Sequence, residues 1–276
     1  MAARARARRG GRGTELLARV VVAVPAIAVA VALLSFGPEV FAAGAFVAGV
    51  LCLHELFRLY ERVRPAKLAG FAAVAGLAAG ALWGGERQVL LALMASVPLT
   101  FLLASAMPRG RSSVTAGMAL TLLGIVWVGL PVAIAILLFQ LPHGSAIIVN
   151  VLVGTFVGDT GAYLGGRAFG RRPLAPAISP SKTVEGLLIG MVAAVVGTMC
   201  AGLYQDWLSH GEAALLGAAV AVAAPLGDLF ESRVKRDAGV KDSGGLFGPH
   251  GGALDRLDAA LFALVAGYWV WLAILG

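Results

Sequence analysis

Five carboxylates stand where an apolar chain can least accommodate them: Glu55, Asp159, Asp228, Asp255 and Asp258. An ionisable side chain within or at the end of a long apolar block is costly enough to require a reason. Asp228 closes one such block, while Asp255 and Asp258 open the next and share a helical face at i, i+3. Between them runs Ser232-Arg-Val-Lys-Arg-Asp-Ala-Gly-Val-Lys-Asp-Ser-Gly-Gly-Leu-Phe-Gly-Pro-His-Gly-Gly-Ala-Leu-Asp-Arg-Leu-Asp258, a mixture of cations, glycines and carboxylates. Phosphate chemistry needs that mixture. Lysine and arginine neutralise phosphoryl oxygens, glycines let backbone amides approach them, and carboxylates hold Mg²⁺, which prefers oxygen and bridges to substrate phosphate. Zinc is not expected, because no second His or Cys lies at ligand spacing from His250.

These residues need a frame. Of 276 residues, 59% are hydrophobic and 13% charged, with a mean hydropathy of +0.87, whereas a soluble chain carries about a quarter charged residues. The apolar residues run in blocks of roughly 18 or more, the length that crosses a bilayer. The expected fold is therefore all-α, a polytopic helical membrane protein with about nine transmembrane helices. They fall near 18–36, 40–57, 68–85, 88–106, 114–140, 145–165, 184–204, 212–230 and 254–275. The fifth block holds Gly129 and Pro131 and is long for one helix, so a tilt, a kink or a re-entrant turn is expected there.

The chain divides into a basic tail, 1–17, the N-terminal helices, 18–140, and a C-terminal catalytic region, 141–276, with polar loops 166–183 and 231–252. With the N-terminus in the cytosol, every lysine and arginine except Arg87 falls on the cytosolic face. The tail reads as an anchor to anionic lipid rather than a nucleic-acid arm, and its apolar neighbour Val20 to Phe36 is too long for a secretory signal. Cys52 and Cys200 lie in apolar blocks and suggest packing. Gly154 and Gly158, like Gly186 and Gly190, are spaced for close helix contact, either within the chain or across a homodimer seam. Tyr268, Trp269 and Trp271 are expected to form an interfacial belt.

The segment from Ser232 to Asp258 resembles the motif of the phosphatidate cytidylyltransferases, S-x-x-K-R-x4-K-D-S-G followed by H-G-G-x-x-D-R-x-D, and meets every fixed position. Gly158-Asp-Thr-Gly-Ala-Tyr163 and Ile178-Ser-Pro-Ser-Lys-Thr-Val-Glu-Gly186 extend the likeness over the C-terminal half, while upstream only Glu55 and hydrophobic character match. Departures are the order Gly248-Pro249-His250 and the small Ala253. The resemblance implies that phosphatidic acid attacks the α-phosphorus of CTP, giving CDP-diacylglycerol and pyrophosphate at a cytosolic site with two cations, Mg²⁺ among them. The Arg-rich tail, without an organellar import pattern, sets the expectation of a bacterial inner membrane. The chain's other expected partners are membrane lipids. A CTP-dependent polyprenol or phytol kinase is the alternative within enzymes. A transporter accounts for charge inside spans but not for the loop.

Within that reading Asp228 and Asp255 are the leading Mg²⁺ ligands, because they cap successive helices, with Asp258 and Glu231 in reserve. Ion pairing with Lys235 or Arg256 is their alternative role. Lys182, Arg236 and Lys241 are assigned to CTP or lipid phosphate, or else to headgroup anchoring, and Arg256 joins the substrate-binding set. Asp242, Ser243 and the Gly251-Gly252 backbone shape a triphosphate cradle or a turn. His250 either donates to departing pyrophosphate or is a turn residue. Asp159 orients basic residues, holds metal or makes a structural hydrogen bond. Ser179 and Ser181, ahead of Thr183, receive an anion at a helix N-terminus or cap it.

Overall fold

The computed structural model describes residues 32–106, 113–245 and 251–276. The basic tail, most of the first expected span, and His250 lie outside them. A positive-φ Gly37 and Pro38 at the first helical position start α1, Pro38–Leu59. After a 3-10 turn at Glu61–Val63 come α2, Lys67–Trp83, and α3, Glu86–Ala106. Ser113 caps α4, Val114–Gly124, which passes through a π turn, Ile125–Gly129, into α5, Leu130–Gln140. Next are α6, Gly144–Phe169, then α7, Val184–Gly202, capped by Thr183. A capping box between Ser209 and Glu212 begins α8, His210–Asp237. The last helix is α9, Leu254–Leu275.

Among the described residues seven helices are long and apolar enough to cross a bilayer, counting Val114–Gln140 as one, and Lys67–Trp83 is a slightly shorter apolar helix. The expected kink at Gly129 and Pro131 is resolved without a re-entrant turn. Proline cannot donate to the carbonyl four residues back, and the chain widens instead, Leu130 N–H donating to Ile125 O at π spacing. On α3, Leu90, Leu91, Met94, Phe101 and Leu102 are exposed, the surface a lipid-facing helix presents.

The loop expected at 166–183 contains a two-stranded antiparallel hairpin, β1, Pro173–Ala175, against β2, Ser179–Thr183, with Pro173 opposite Thr183 and Ala175 opposite Ser179. Two amides before it, Arg171 N–H and Arg172 N–H, donate to Glu185 Oε2 at 3.0 and 3.1 Å, tying the hairpin to the first turn of α7.

The C-terminal helices pack through small residues. A Cβ on Gly190 of α7 would lie 2.8 Å from Gly158 O and 2.7 Å from the Ala162 Cβ of α6, so the paired glycines are used in an intrachain seam. At the end of the bundle away from the polar loops, Tyr268 is buried and donates to the Glu86 carboxylate. Trp271 Nε1–H there donates to Pro142 O at 2.8 Å. Only Trp269 faces outward, at 55% exposure. The expected aromatic belt is thus corrected: Tyr268 and Trp271, three apart, bury their rings on one face of the helix while their polar ends reach the exposed Glu86 and Pro142.

Candidate active site

Helix α8 presents Asp228, Glu231 and Lys235 on one face at i, i+3 and i+7. The first turns of α9 supply Asp255 and Asp258. Gly227 permits the two helices to meet, since a Cβ there would run into Asp258 O and stand 3.2 Å from the Ala259 Cα. As a result Asp228, Glu231 and Asp258 each offer a carboxylate oxygen, all within 4.8 Å of one another. Glu231 is 1% exposed and Asp258 8%. Lys235 Nζ lies 2.6 Å from Glu231 Oε2 and 2.6 Å from Asp255 Oδ1, so one ammonium joins two acids. The other oxygen, Glu231 Oε1, is buried with no hydrogen-bond partner. A buried carboxylate oxygen left so is expensive, and the three carboxylates, one of them Glu231 itself, form a hard-oxygen donor set that suits Mg²⁺.

Asp255 is differently employed from the other acids. Its Oδ2 accepts from Ser243 N–H at 2.9 Å, Ser243 Oγ–H at 2.9 Å and Gly252 N–H at 2.7 Å, and its Oδ1 faces Lys235. Gly251, at φ +81°, makes this turn possible, and a Cβ there would press on the Asp255 carboxylate. Of the two acids expected to lead as metal ligands, Asp255 holds the motif loop, and the two in reserve, Glu231 and Asp258, stand beside Asp228. The Gly252 amide, expected to face a triphosphate, is given to Asp255.

A second carboxylate meets the same loop from the opposite half of the chain. Glu55 of α1, 7% exposed, accepts from Ser243 Oγ–H at 3.0 Å, Ala253 N–H at 3.0 Å and Leu254 N–H at 2.9 Å. No side chain of its own caps α9, and Glu55 satisfies the amides that a helix start leaves open.

Lys182, on β2, reaches Asp228 Oδ2 at 2.5 Å. The pair stands in a cleft of about 410 Å³ between α6, α7 and α8, which also exposes Asp159 and Ser181. Away from the charges its wall is small and apolar, with Gly154, Ala194, Val220, Ala221 and Ala224. Thr183 accepts from Gly186 N–H at 3.1 Å, so it caps α7. Arg236 Nε–H donates to Ile178 O at 3.2 Å and an Nη1–H to Val240 O at 3.1 Å, joining the hairpin loop to the motif loop. Ser179 pairs within the hairpin. Lys241, Asp242 and Arg256 are exposed, whereas Ser243 is buried.

The structure thus collects Asp159, Lys182, Asp228, Glu231, Ser243, Asp255 and Asp258 at one end of the bundle. It adds Glu55, singled out above only as an anomalous carboxylate, and Lys235, named above only as an alternative ion-pair partner. Their signal was present: Glu55 is a carboxylate deep in an apolar block, and Lys235 is four residues after Glu231.

Residues 17–274 match the family described as the Cytidylyltransferase family. The chain is 32% identical over 276 residues to a phosphatidate cytidylyltransferase of Mycobacterium bovis, covering 95% of this chain and 90% of that one. It is 40% identical over 128 residues to the Haemophilus influenzae phosphatidate cytidylyltransferase, covering 44% of each chain. With that of Helicobacter pylori the identity is 44% over 125 residues, 45% of this chain and 46% of the relative.

Proposed function

The chain belongs to the cytidylyltransferase family, and we propose on that premise that it transfers the cytidylyl group of CTP to phosphatidic acid. The carrying observation is the convergence of Asp228, Glu231 and Asp258 beside the motif loop, with one buried Glu231 oxygen lacking a partner. A phosphate oxygen of phosphatidic acid attacks the α-phosphorus, the bond from that phosphorus to the bridging oxygen breaks, and pyrophosphate departs with the electron pair. The products are CDP-diacylglycerol and pyrophosphate. The attacking group is already an anion, so positioning and charge neutralisation replace a general base.

Asp228, Glu231 and Asp258 are the residues that would hold Mg²⁺. Bound there, the ion would neutralise oxygens of the transferring group and of the leaving pyrophosphate. In this reading a second positive charge comes from Lys235, held in place by Glu231 and Asp255. Lys182 exchanges Asp228 for a substrate phosphate, and Lys241 and Arg256 meet the triphosphate from the exposed side. The cleft takes the lipid with its phosphate at Lys182 and an acyl chain along the small apolar wall of α6, α7 and α8. The one-sided distribution of lysine and arginine supports a cytosolic site, and the bacterial relatives support the inner membrane.

The test is purified protein with CTP, Mg²⁺ and phosphatidic acid, followed by pyrophosphate release and product mass. CDP-diacylglycerol with stoichiometric pyrophosphate is expected. A phosphorylated lipid with CDP would make the protein a kinase, and no CTP-dependent product would overturn the proposal.

A further inference from the structure

The start of α9 has no side-chain cap of its own. Its polar groups and those of the motif loop converge on two carboxylates, and one of these comes from the far half of the chain. Glu55 takes the Ala253 and Leu254 amides with its two oxygens and shares the Ser243 hydroxyl with Asp255, at 3.0 and 2.9 Å respectively. A hydroxyl has one hydrogen and here faces two acceptors, so Ser243 links the two acids into one unit. Space around Glu55 is equally committed. A Cβ on Gly252 would overlap its carboxylate, and one on Gly244 would come within 2.6 Å of Oε1. The glycines on both sides of the loop are therefore small because Glu55 occupies the room between them.

We infer that Glu55 is a positioning residue for cytidylyl transfer: it fixes Ser243 and the first turn of α9, and through them sets where Asp255 and Asp258 stand. Its hydrogen bonds go to Ser243, Ala253 and Leu254, none of them in the three-carboxylate group. Its action passes from Ser243 to Asp255, from Asp255 to Lys235, and along one helical turn from Leu254 to Asp258. The N-terminal helices, which contribute no residue to the metal-type cluster, thereby govern its geometry. This inference rests on the function proposed above, and the wild-type assay tests that function separately.

The experiment compares wild type, Glu55→Gln and Gln205→Ala. Gln205 exchanges two hydrogen bonds with the buried Asn150, at 2.9 and 3.0 Å, in a pair that includes no site residue. Its variant therefore measures what general destabilisation does to turnover. Glu55→Gln keeps the shape but places an amide NH₂ where an oxygen accepted a backbone N–H. The expected result is a kcat lower by about 10- to 100-fold, the usual effect of losing an orienting partner. The KM for phosphatidic acid should change less than about threefold, since the lipid cleft is untouched. Hydrogen exchange at Ala253 and Leu254 should accelerate, while Gln205→Ala leaves it and kcat near wild type. A kcat for Glu55→Gln within about twofold of wild type, or an equal loss in Gln205→Ala, would overturn the positioning role. If Glu55→Gln does not fold, Ser243→Ala tests the same link and should give the same pattern of kcat loss without KM change; a normal kcat there would overturn it too.

Discussion

Replacing Lys235 with methionine is the most searching perturbation of the acidic group. The ammonium lies 2.6 Å from each of two carboxylates, and the side chains of Lys235, Glu231 and Asp255 are 13%, 1% and 10% exposed. Methionine fills similar space but removes the charge, leaving two acids without their shared cation. Removing one partner of a buried ion pair costs about 3–5 kcal/mol, because the remaining charge stays out of water. For a chain of this size each kcal/mol moves the unfolding midpoint by about 2–4 °C, so Lys235→Met should unfold about 6–20 °C lower. The same deficit predicts that added Mg²⁺ recovers more of the midpoint in the variant than in wild type, since a bound ion stabilises whichever state holds it. The assay is thermal unfolding in detergent with and without Mg²⁺, with Lys235→Arg as the charge-retaining control. A midpoint within about 2 °C of wild type, less than 1 kcal/mol, would refute the view of Lys235 as the cation on which this site depends.

Glu231→Gln preserves shape and keeps an acceptor for Lys235 but withdraws the charge behind the unpartnered oxygen. The Mg²⁺-dependent rise in unfolding midpoint should disappear and turnover fall by about 100-fold or more; an undiminished Mg²⁺ response would remove Glu231 from the ligand set. Gly227→Ala should cost about 1–3 kcal/mol and weaken Mg²⁺ binding, because the new methyl pushes α9, with Asp258, away from α8. Wild-type values in both a melt and a Mg²⁺ titration would contradict that. Tyr60, just beyond α1, donates to Val234 O at 2.9 Å and to Asp237 Oδ2 at 3.0 Å, so Tyr60→Phe should lose about 1 kcal/mol. Burial and then the Asp237 hydrogen bond push this phenol up to about 12. The neutral form is the one the fold favours, so its contribution is full below pH 10 and lost as pH approaches about 12. Denaturation of the two proteins should therefore converge across that window, and a constant difference would exclude the phenol as its source.

The spans were legible because a bilayer demands long apolar blocks, and seven of the nine expected ones meet helices within a few residues of their ends, while the one expected at 212–230 runs on to Asp237. The branching of roles among the acids was not legible. Asp228 with Glu231, and Asp255 with Asp258, are both i, i+3 pairs on a helix end, so spacing alone treats them alike. What separates them is depth and neighbourhood: Asp255 sits in the first turn and meets loop amides, whereas Asp258 is a turn further in and faces α8. Glu55 was visible as an anomaly but not as a cap, because its partners are 188 and more residues away. Small strands escaped for another reason. The hairpin at 173–183 contains prolines and no alternating apolar pattern, and Glu185 anchors it from outside.

The reach of Glu55 across the sequence also bears on how this enzyme is born. Helix α1 precedes all of Glu55's partners in the chain, and that carboxylate meets the Ala253 and Leu254 amides only once the final helix stands beside it. A ribosome-bound fragment therefore carries the acids of α8 without the clamp that arranges the loop after them. The group of Asp228, Glu231 and Asp258 is likewise complete only once the last helix, which carries Asp258, stands beside α8.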